Sequence, residues 1–255
     1  MAREGLATGL GTQASMAVRF LSAGDRALVV EFGDRVDPEL SEEVLRLDAR
    51  LRLKPLPGVV ETVPTFRSLT LYYDPLATSR THLEPAVRAL LGRRGHERRN
   101  ARLWHIPICY EAPFAPDLDE VAHLLGLAPE EVASRHSAPQ YRVYMIGFLP
   151  GFPYLGDLPP SLALPRRADP RVKVPAGSVA IATNLSAIYP YESPGGWHLI
   201  GATPIPLFDP ARSPPALLAA GDGVRFAPIE AAAFRAIREA AAAGGHQIAS
   251  EATRE

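Results

Sequence analysis

Three clusters in the second half of this 255-residue chain hold the residue types that binding and catalysis need. In the first, Gly147-Phe148-Leu149-Pro150-Gly151-Phe152-Pro153-Tyr154-Leu155-Gly156, three glycines, two prolines and three aromatics fill ten positions directly after a strand-like run. Glycine permits positive φ and close backbone approach, proline lowers the entropy of ordering, and aromatic rings can wall a pocket. A rigid, shaped loop is expected. It lacks the spacing of a P-loop or a dinucleotide fingerprint, and a purely architectural loop is the competing reading.

The second cluster brings Arg166, Arg167, Arg171 and Lys173 within eight residues, followed by the turn Gly177-Ser178; Lys173 is one of only two lysines in the chain. Side chains repeat every two residues along a strand, so Arg171 and Lys173 are expected on one face. Arginine as a bidentate fork and lysine as a point charge can hold carboxylate or phosphate. A solvated strand face is the bland alternative. The third cluster is Tyr189-Pro190-Tyr191-Glu192-Ser193-Pro194-Gly195-Gly196-Trp197-His198. Here Glu192 can act as general acid or base, Ser193 with the amides of Gly195 and Gly196 can bind an oxyanion, and Trp197 can wall a pocket. A lone strand histidine such as His198 is more often satisfied structure than catalyst. His82, His96, His105, His123 and His136 are scattered without metal-ligand spacing, so no metal is expected. No Gly-x-Ser-x-Gly elbow is present.

Fourteen of the 26 prolines fall between Pro150 and Pro215, the same window as the three clusters. Proline removes a backbone donor and clashes inside a helix, so no long helix can cross this window. Its aromatics, Val and Ile exclude disorder, which is poor in such residues. The window is read as short strands and turns. Hydrophobic residues make up 47% of the chain and formal net charge is −1, which supports sizeable cores and argues against a nucleic-acid or membrane partner. Cys109 alone cannot form an internal disulfide, fits a reducing cytoplasm, and is read as a small buried hydrophobe rather than a nucleophile. No apolar run approaches the roughly 18 residues of a spanning helix.

The elements that must position these clusters follow from periodicity. Residues 1–15 carry no apolar signal region and are expected to be a disordered tail, with Met16 as a candidate start. Runs at 18–21 and 27–32 flank a turn-forming Ser22-Ala23-Gly24-Asp25. Asp37 and Pro38 supply a helix N-cap and first-turn proline, after which Leu40, Val44, Leu47 and Leu51 recur at helical spacing. Strands at 59–64 and 68–73 and a helix at 79–91 complete a ββαββα order, an α+β domain expected to span 16–100. Arg93, Arg94, Arg98, Arg99 and Arg102 read as a solvated linker. Beyond it come a strand at 103–110, helices at 118–126 and 129–136, and strands at 141–146, 171–174, 178–182, 187–189, 197–200, 205–208 and 224–226, which indicate a barrel or sandwich. This second domain is expected over 101–230, with a helix to about 242 and a frayed tail within 231–255.

The three clusters, in this order, resemble the KipI/PxpB family, whose members also go by allophanate hydrolase subunit 1 or the B-type subunit of 5-oxoprolinase. The likeness runs from Met16 to about Ile229. It is strongest in Gly147 to Gly156, Val174-Pro175-Ala176-Gly177-Ser178-Val179, Glu192 to Trp197 and Leu199-Ile200-Gly201. It implies that the second domain is a cyclophilin-like β-barrel whose pocket these motifs line. It also implies a hydrolase component, inactive alone, that works with C-type and A-type subunits in an ATP-dependent opening of 5-oxoproline to L-glutamate. Under this resemblance Glu192 and Lys173 are the expected catalytic groups. Arg166, Arg167, Arg171, Ser178, Ser193, Gly195 and Gly196 are expected to bind substrate or phosphate, and Phe148, Phe152, Tyr154, Trp197 and His198 to line the pocket. ATP is the expected co-substrate, and no protein-bound metal is expected. The family also includes an inhibitor of a sensor histidine kinase and an allophanate hydrolase component, which stand as alternatives. One stretch departs: where the family reads nearer Gly-Ile-Ala-Gly-x-Gln-Thr-Gly, this chain has Ala180, Thr183, Leu185, Ser186 and Ala187.

Overall fold

The computed structural model describes residues 18–91, 101–243 and 248–252. The expected tail, Met16, and the linker arginines 93, 94, 98 and 99 lie outside the described residues. The first six elements are β1 (Arg19–Ser22), β2 (Ala27–Glu31), α1 (Pro38–Leu53), β3 (Val59–Pro64), β4 (Ser68–Tyr73) and α2 (Arg80–Leu91). The strands pair antiparallel in the order β1-β2-β4-β3. Helix α1 starts where Asp37 accepts hydrogen bonds from the backbone N–H groups of Glu39 (2.9 Å) and Leu40 (3.4 Å), satisfying two donors that have no partner inside the helix. Its stripe of Val44, Leu47 and Leu51 meets Leu28, Val30, Leu69 and Leu71 of the sheet and Leu83, Val87 and Leu90 of α2. Arg50, buried between the helices, donates to the Leu90 carbonyl at 2.8 Å.

The remaining elements are β5 (Arg102–Ile108), α3 (Leu118–Leu125), α4 (Pro129–Ser137), β6 (Gln140–Ile146), β7 (Pro153–Gly156), a 3-10 turn (Pro160–Leu162), β8 (Arg171–Val174), β9 (Ser178–Ala182), β10 (Leu185–Ile188), β11 (Ser193–Gly195), β12 (His198–Ala202), β13 (Gly223–Pro228), α5 (Ala231–Ala242) and β14 (Ser250–Ala252). Eight strands form one sheet in the order β12-β9-β10-β7-β6-β13-β5-β14, while β8 and β11 pair as a separate two-stranded ribbon. The barrel expectation is corrected here: the eight-stranded sheet is open. It curls far enough for Cys109, just past β5, to exchange two backbone hydrogen bonds (2.8 and 3.0 Å) with Ala202 at the end of β12, but among the described residues no ladder continues around.

Three further expectations differ. The run 205–208 is not a strand; Phe208 makes one isolated bridge to Ala216, because Pro204, Pro206, Pro210, Pro214 and Pro215 remove the donors a ladder requires. The chain end does not simply fray, since β14 pairs with the edge of β5. The second half of the Gly-Pro-aromatic loop is itself strand β7, paired with β6 and β10.

Alternation along the sheet sets up two unlike faces. Val179, Ile181 and Ile188 join Ile106, Val143, Leu155 and Val224 in a large core covered by Val121 of α3 and Val132 of α4. Ala180, Ala182 and Ala187 point the other way, into a smaller cluster with Phe152, Tyr189, Trp197 and Leu199. Three alanines in place of branched side chains leave room for aromatic rings on that face. The departing stretch thus lies beneath the rings. The β3–β4 turn reaches this half through Phe66, whose ring centroid is 5.6 Å from Tyr144 and 5.8 Å from Tyr154. Among the described residues no helix is long and apolar enough to cross a membrane. Cys109 is fully buried against Ala202 and Phe234, and burial pushes its thiol pKa up.

His136, fully buried, connects α4 to the sheet. The Ser186 hydroxyl donates to the Ala180 carbonyl (3.3 Å) and so accepts from His136 Nε2 at 2.9 Å; the Tyr110 hydroxyl then donates to Nδ1 at 2.7 Å. The complete burial of His136 favours the neutral imidazole in this network. Burial lowers its pKa from 6.5 to about 3. The folded-state pKa lies below the unfolded one, so this contribution to stability is complete above pH 6.5 and is lost as pH falls from there toward 3. The urea midpoint should drop steadily from pH 6.5 to pH 4, and His136→Asn should show a flatter profile over that window; parallel profiles would contradict this assignment.

Candidate active site

Strand β6 ends at Ile146, and the next six residues fold back by three short backbone bonds: Gly147 N–H to Phe152 O (3.0 Å), Leu149 N–H to Gly147 O (2.8 Å) and Phe152 N–H to Leu149 O (3.0 Å). Phe148 adopts φ +68° and is 62% exposed, a conformation costly for a bulky residue and one that holds its ring at the rim. Phe152 is the hub of the wall. Its ring centroid lies 5.4 Å from Phe148, 5.0 Å from Tyr154 and 5.1 Å from Tyr189, while Tyr154 stands 6.1 Å from Trp197, all edge-on. A Cβ at Gly195 would overlap the Tyr189 hydroxyl, so only glycine lets this ring lie here. At Gly196 a Cβ would meet Pro170 at an ordinary 3.6 Å.

These rings enclose a cavity of about 300 Å³ lined by Phe148, Phe152, Tyr154, Arg166, Pro170, Tyr189, Pro194, Gly195, Gly196 and Trp197. The Arg166 guanidinium carbon sits 6.0 Å from the Trp197 ring centre. Burial raises the pKa of both tyrosines, Tyr189 to about 12, with Arg166 acting in the opposite direction, so both phenols remain hydrogen-bond donors at neutral pH. The lining contains one permanent charge and no carboxylate or imidazole. It can hold a small, flat ligand bearing an anionic group, with the ring against aromatic edges and the anion on Arg166.

The sequence clusters thus converge only in part. Phe148, Phe152, Tyr154, Arg166, Gly195, Gly196 and Trp197 come together, whereas Arg167, Arg171, Lys173, Ser178, Glu192, Ser193 and His198 are not in the lining. Arg167 pairs with Glu120 (2.7 Å) and Asp117 (3.4 Å), and Arg171 pairs with Asp117. Lys173 and Glu192 form a 3.1 Å pair on the outside of the β8–β11 ribbon, 76% and 59% exposed, where an ion pair adds little stability. Arg171 and Lys173 therefore serve different partners despite their strand spacing. Ser178 is buried at the start of β9, and the buried Ser193 hydroxyl contacts the Pro194 carbonyl at 3.3 Å. His198 is buried and bonded through Nε2 to the Pro165 carbonyl at 3.1 Å. Among the described residues no three of His, Cys, Asp and Glu form a group able to hold a metal.

Sequence reading missed Asp117. Its carboxylate accepts from the Leu199 N–H at 2.7 Å and its own N–H donates to Leu199 O at 2.9 Å, so it joins the start of α3 to β12 as well as to the two arginines. Its partners lie 50 to 82 residues away, beyond any local pattern.

A family model described as carboxyltransferase domain, subdomain C and D, matches residues 18–218. A curated relative from Bacillus subtilis (strain 168), named as the B-type subunit of 5-oxoprolinase, is 40% identical over 238 residues, covering 88% of this chain and 99% of that protein. The crystal structure of TTHA0988 is similar with a TM-score of 0.73 and 41% identity over 80% of this chain, which spans only 40% of that longer one. The Kluyveromyces lactis urea amidolyase superposes with a TM-score of 0.78 at 22% identity, covering 92% of this chain and 16% of that one, a likeness of fold.

Proposed function

The chain belongs to the carboxyltransferase-domain family, subdomains C and D, and from that membership we propose that it is the B-type component of an ATP-dependent 5-oxoprolinase. In the proposed reaction 5-oxo-L-proline, ATP and two waters give L-glutamate, ADP and phosphate. An unstrained lactam is a poor electrophile. Transfer of the γ-phosphoryl group to the lactam oxygen releases ADP and activates the ring carbon; one water adds there, the C–N bond opens as the nitrogen takes up a proton to give γ-glutamyl phosphate, and the second water hydrolyses this acyl phosphate to L-glutamate and phosphate.

The observation that carries this reading is a single guanidinium set in an aromatic cavity of about 300 Å³, in a chain 40% identical to a B-type 5-oxoprolinase subunit. The substrate is a flat five-membered lactam with one carboxylate. In this proposal the carboxylate lies on Arg166, the ring lies among Phe152, Tyr154 and Trp197, and a Tyr154 or Tyr189 hydroxyl donates to the lactam oxygen. The lining has no carboxylate or imidazole to serve as general base, and in this proposal the component is inactive alone. We assign that duty to the exposed Lys173–Glu192 pair, which a C-type or A-type partner would cover in the complex, and leave ATP to the assembled site. The curled sheet is read as cyclophilin-like, and a cytoplasmic location follows from the same reading.

The test is reconstitution. The chain purified with its C-type and A-type partners should release ADP only when 5-oxo-L-proline is present, and no combination lacking a partner should do so. Substrate-independent ADP release, or none at all in every combination, would remove the proposal. Arg166→Gln should raise the KM for 5-oxo-L-proline by about tenfold to a hundredfold, the worth of one charged hydrogen bond of roughly 1.5–3 kcal/mol.

A further inference from the structure

We propose that Arg167, clamped by Asp117 and Glu120, is a positioning residue that holds Arg166 in the cavity and thereby sets a preference for ligands that carry a carboxylate. The ligand preference rests on the function proposed above; the positioning role does not.

Arg166 is pinned on both sides. The preceding carbonyl, that of Pro165, accepts a hydrogen bond from His198 at 3.1 Å; because a carbonyl can only accept, His198 Nε2 carries the proton. The following residue, Arg167, donates its backbone N–H to Gly196 O at 2.8 Å. One residue farther back, Thr183 N–H donates to Leu164 O at 2.6 Å, fixing the segment to the β9–β10 turn. Arg167 reaches Glu120 at 2.7 Å and Asp117 at 3.4 Å, whereas its neighbour Arg166 lies over Trp197. Arg166 makes no ion pair among the described residues, so its charge is free for a ligand. The two arginines divide the work: one is neutralised to orient the chain and the other is left uncompensated to bind.

The buried state of Asp117 makes the clamp selective. Its side chain is only 3% exposed, yet it meets both Arg167 and Arg171 and the Leu199 N–H. A carboxylate in that position cannot rotate away without stranding its partners, which makes the Arg167 direction a property of the fold rather than of solvent.

The full chain labelled with 5-fluorotryptophan gives a direct readout, since Trp104 and Trp197 are its two tryptophans and lie in different core clusters. Arg166→Gln should move the Trp197 fluorine resonance and leave that of Trp104 in place. Arg167→Gln should move the Trp197 resonance in the same direction, and the double variant should move it no farther than Arg166→Gln alone. Glu120→Gln, an exposed change that cannot unfold the chain, should give a smaller shift of the same sign. An unmoved Trp197 resonance in both Arg167→Gln and Glu120→Gln, or shifts that sum in the double variant, would overturn the proposal. In calorimetry, Arg167→Gln should bind 5-oxo-L-proline about tenfold more weakly, with no change toward 2-pyrrolidinone, which lacks the carboxylate. Equal losses toward both compounds would overturn the carboxylate preference. Failure of the wild-type chain and its complex to bind 5-oxo-L-proline would instead count against the proposed function, while the fluorine shifts would still decide the positioning role.

Discussion

Asp117→Ala is expected to lower the free energy of unfolding by about 3 kcal/mol, the lower end of the range for breaking a buried ion pair. The carboxylate is 3% exposed and serves Arg167, Arg171 and the Leu199 N–H, so its removal strands the Arg171 guanidinium and one backbone donor and leaves Arg167 with Glu120 alone. The arginine side chains remain 22% and 26% exposed, and the water they keep limits the loss. The check is urea denaturation, comparing the midpoint and slope of the variant with wild type. Adding Arg171→Leu to Asp117→Ala should recover part of the loss, because the uncompensated charge is the source of the cost. A loss below about 1 kcal/mol would show that solvent already screens the cluster.

Gly177→Ala should cost as much or more, at about 3 kcal/mol, through a different cause. Gly177 has φ +83°, and a Cβ there would fall on the Thr203 carbonyl oxygen, a backbone atom that cannot rotate aside. The residue is held from both sides, its N–H donating to Tyr189 O at 2.7 Å and its carbonyl accepting from Thr203 N–H at 2.8 Å. Left-handed strain alone is worth about 1–3 kcal/mol, and the steric overlap adds to it. Gly196→Ala, where the added methyl meets only Pro170 at 3.6 Å, is the matched control and should change stability by less than about 0.5 kcal/mol. Because Tyr189 lines the cavity, Gly177→Ala should also weaken binding of 5-oxo-L-proline more than Gly196→Ala does. Equal urea midpoints for the two variants would refute the steric account.

These two positions differ in how far they could be read in advance. Gly177 stands in a Pro-Ala-Gly-Ser turn, and a turn glycine is a local signal. Asp117 carries no such signal. The same division runs through the fold. Helix α1 is announced by Asp37, Pro38 and the spacing of Val44, Leu47 and Leu51, and β3, β4, β8 and β9 stand at their expected bounds. By contrast, 205–208 has the apolar residues of a strand and makes only one isolated bridge, since prolines within and around it remove the donors that would extend the ladder. The edge of β5 is covered by β14, which comes from the far end of the chain, and no periodicity in either segment specifies that pairing.

At the site, residue types and their order sufficed to name the motifs, because glycines, prolines and aromatics shape backbone and space within a few residues of themselves. Seven of the residues picked from those motifs do meet in one cavity. Tertiary structure alone decided which charges reach the cavity. Arg166 and Arg167 are adjacent and chemically identical, yet one faces Trp197 and the other Asp117. A charge is assigned by whichever opposite charge the fold brings within a few ångströms, and Asp117 comes from fifty residues away. The concentration of prolines and aromatics belonged to the chain itself, whereas the placing of the Arg166 guanidinium among the cavity rings is a product of folding.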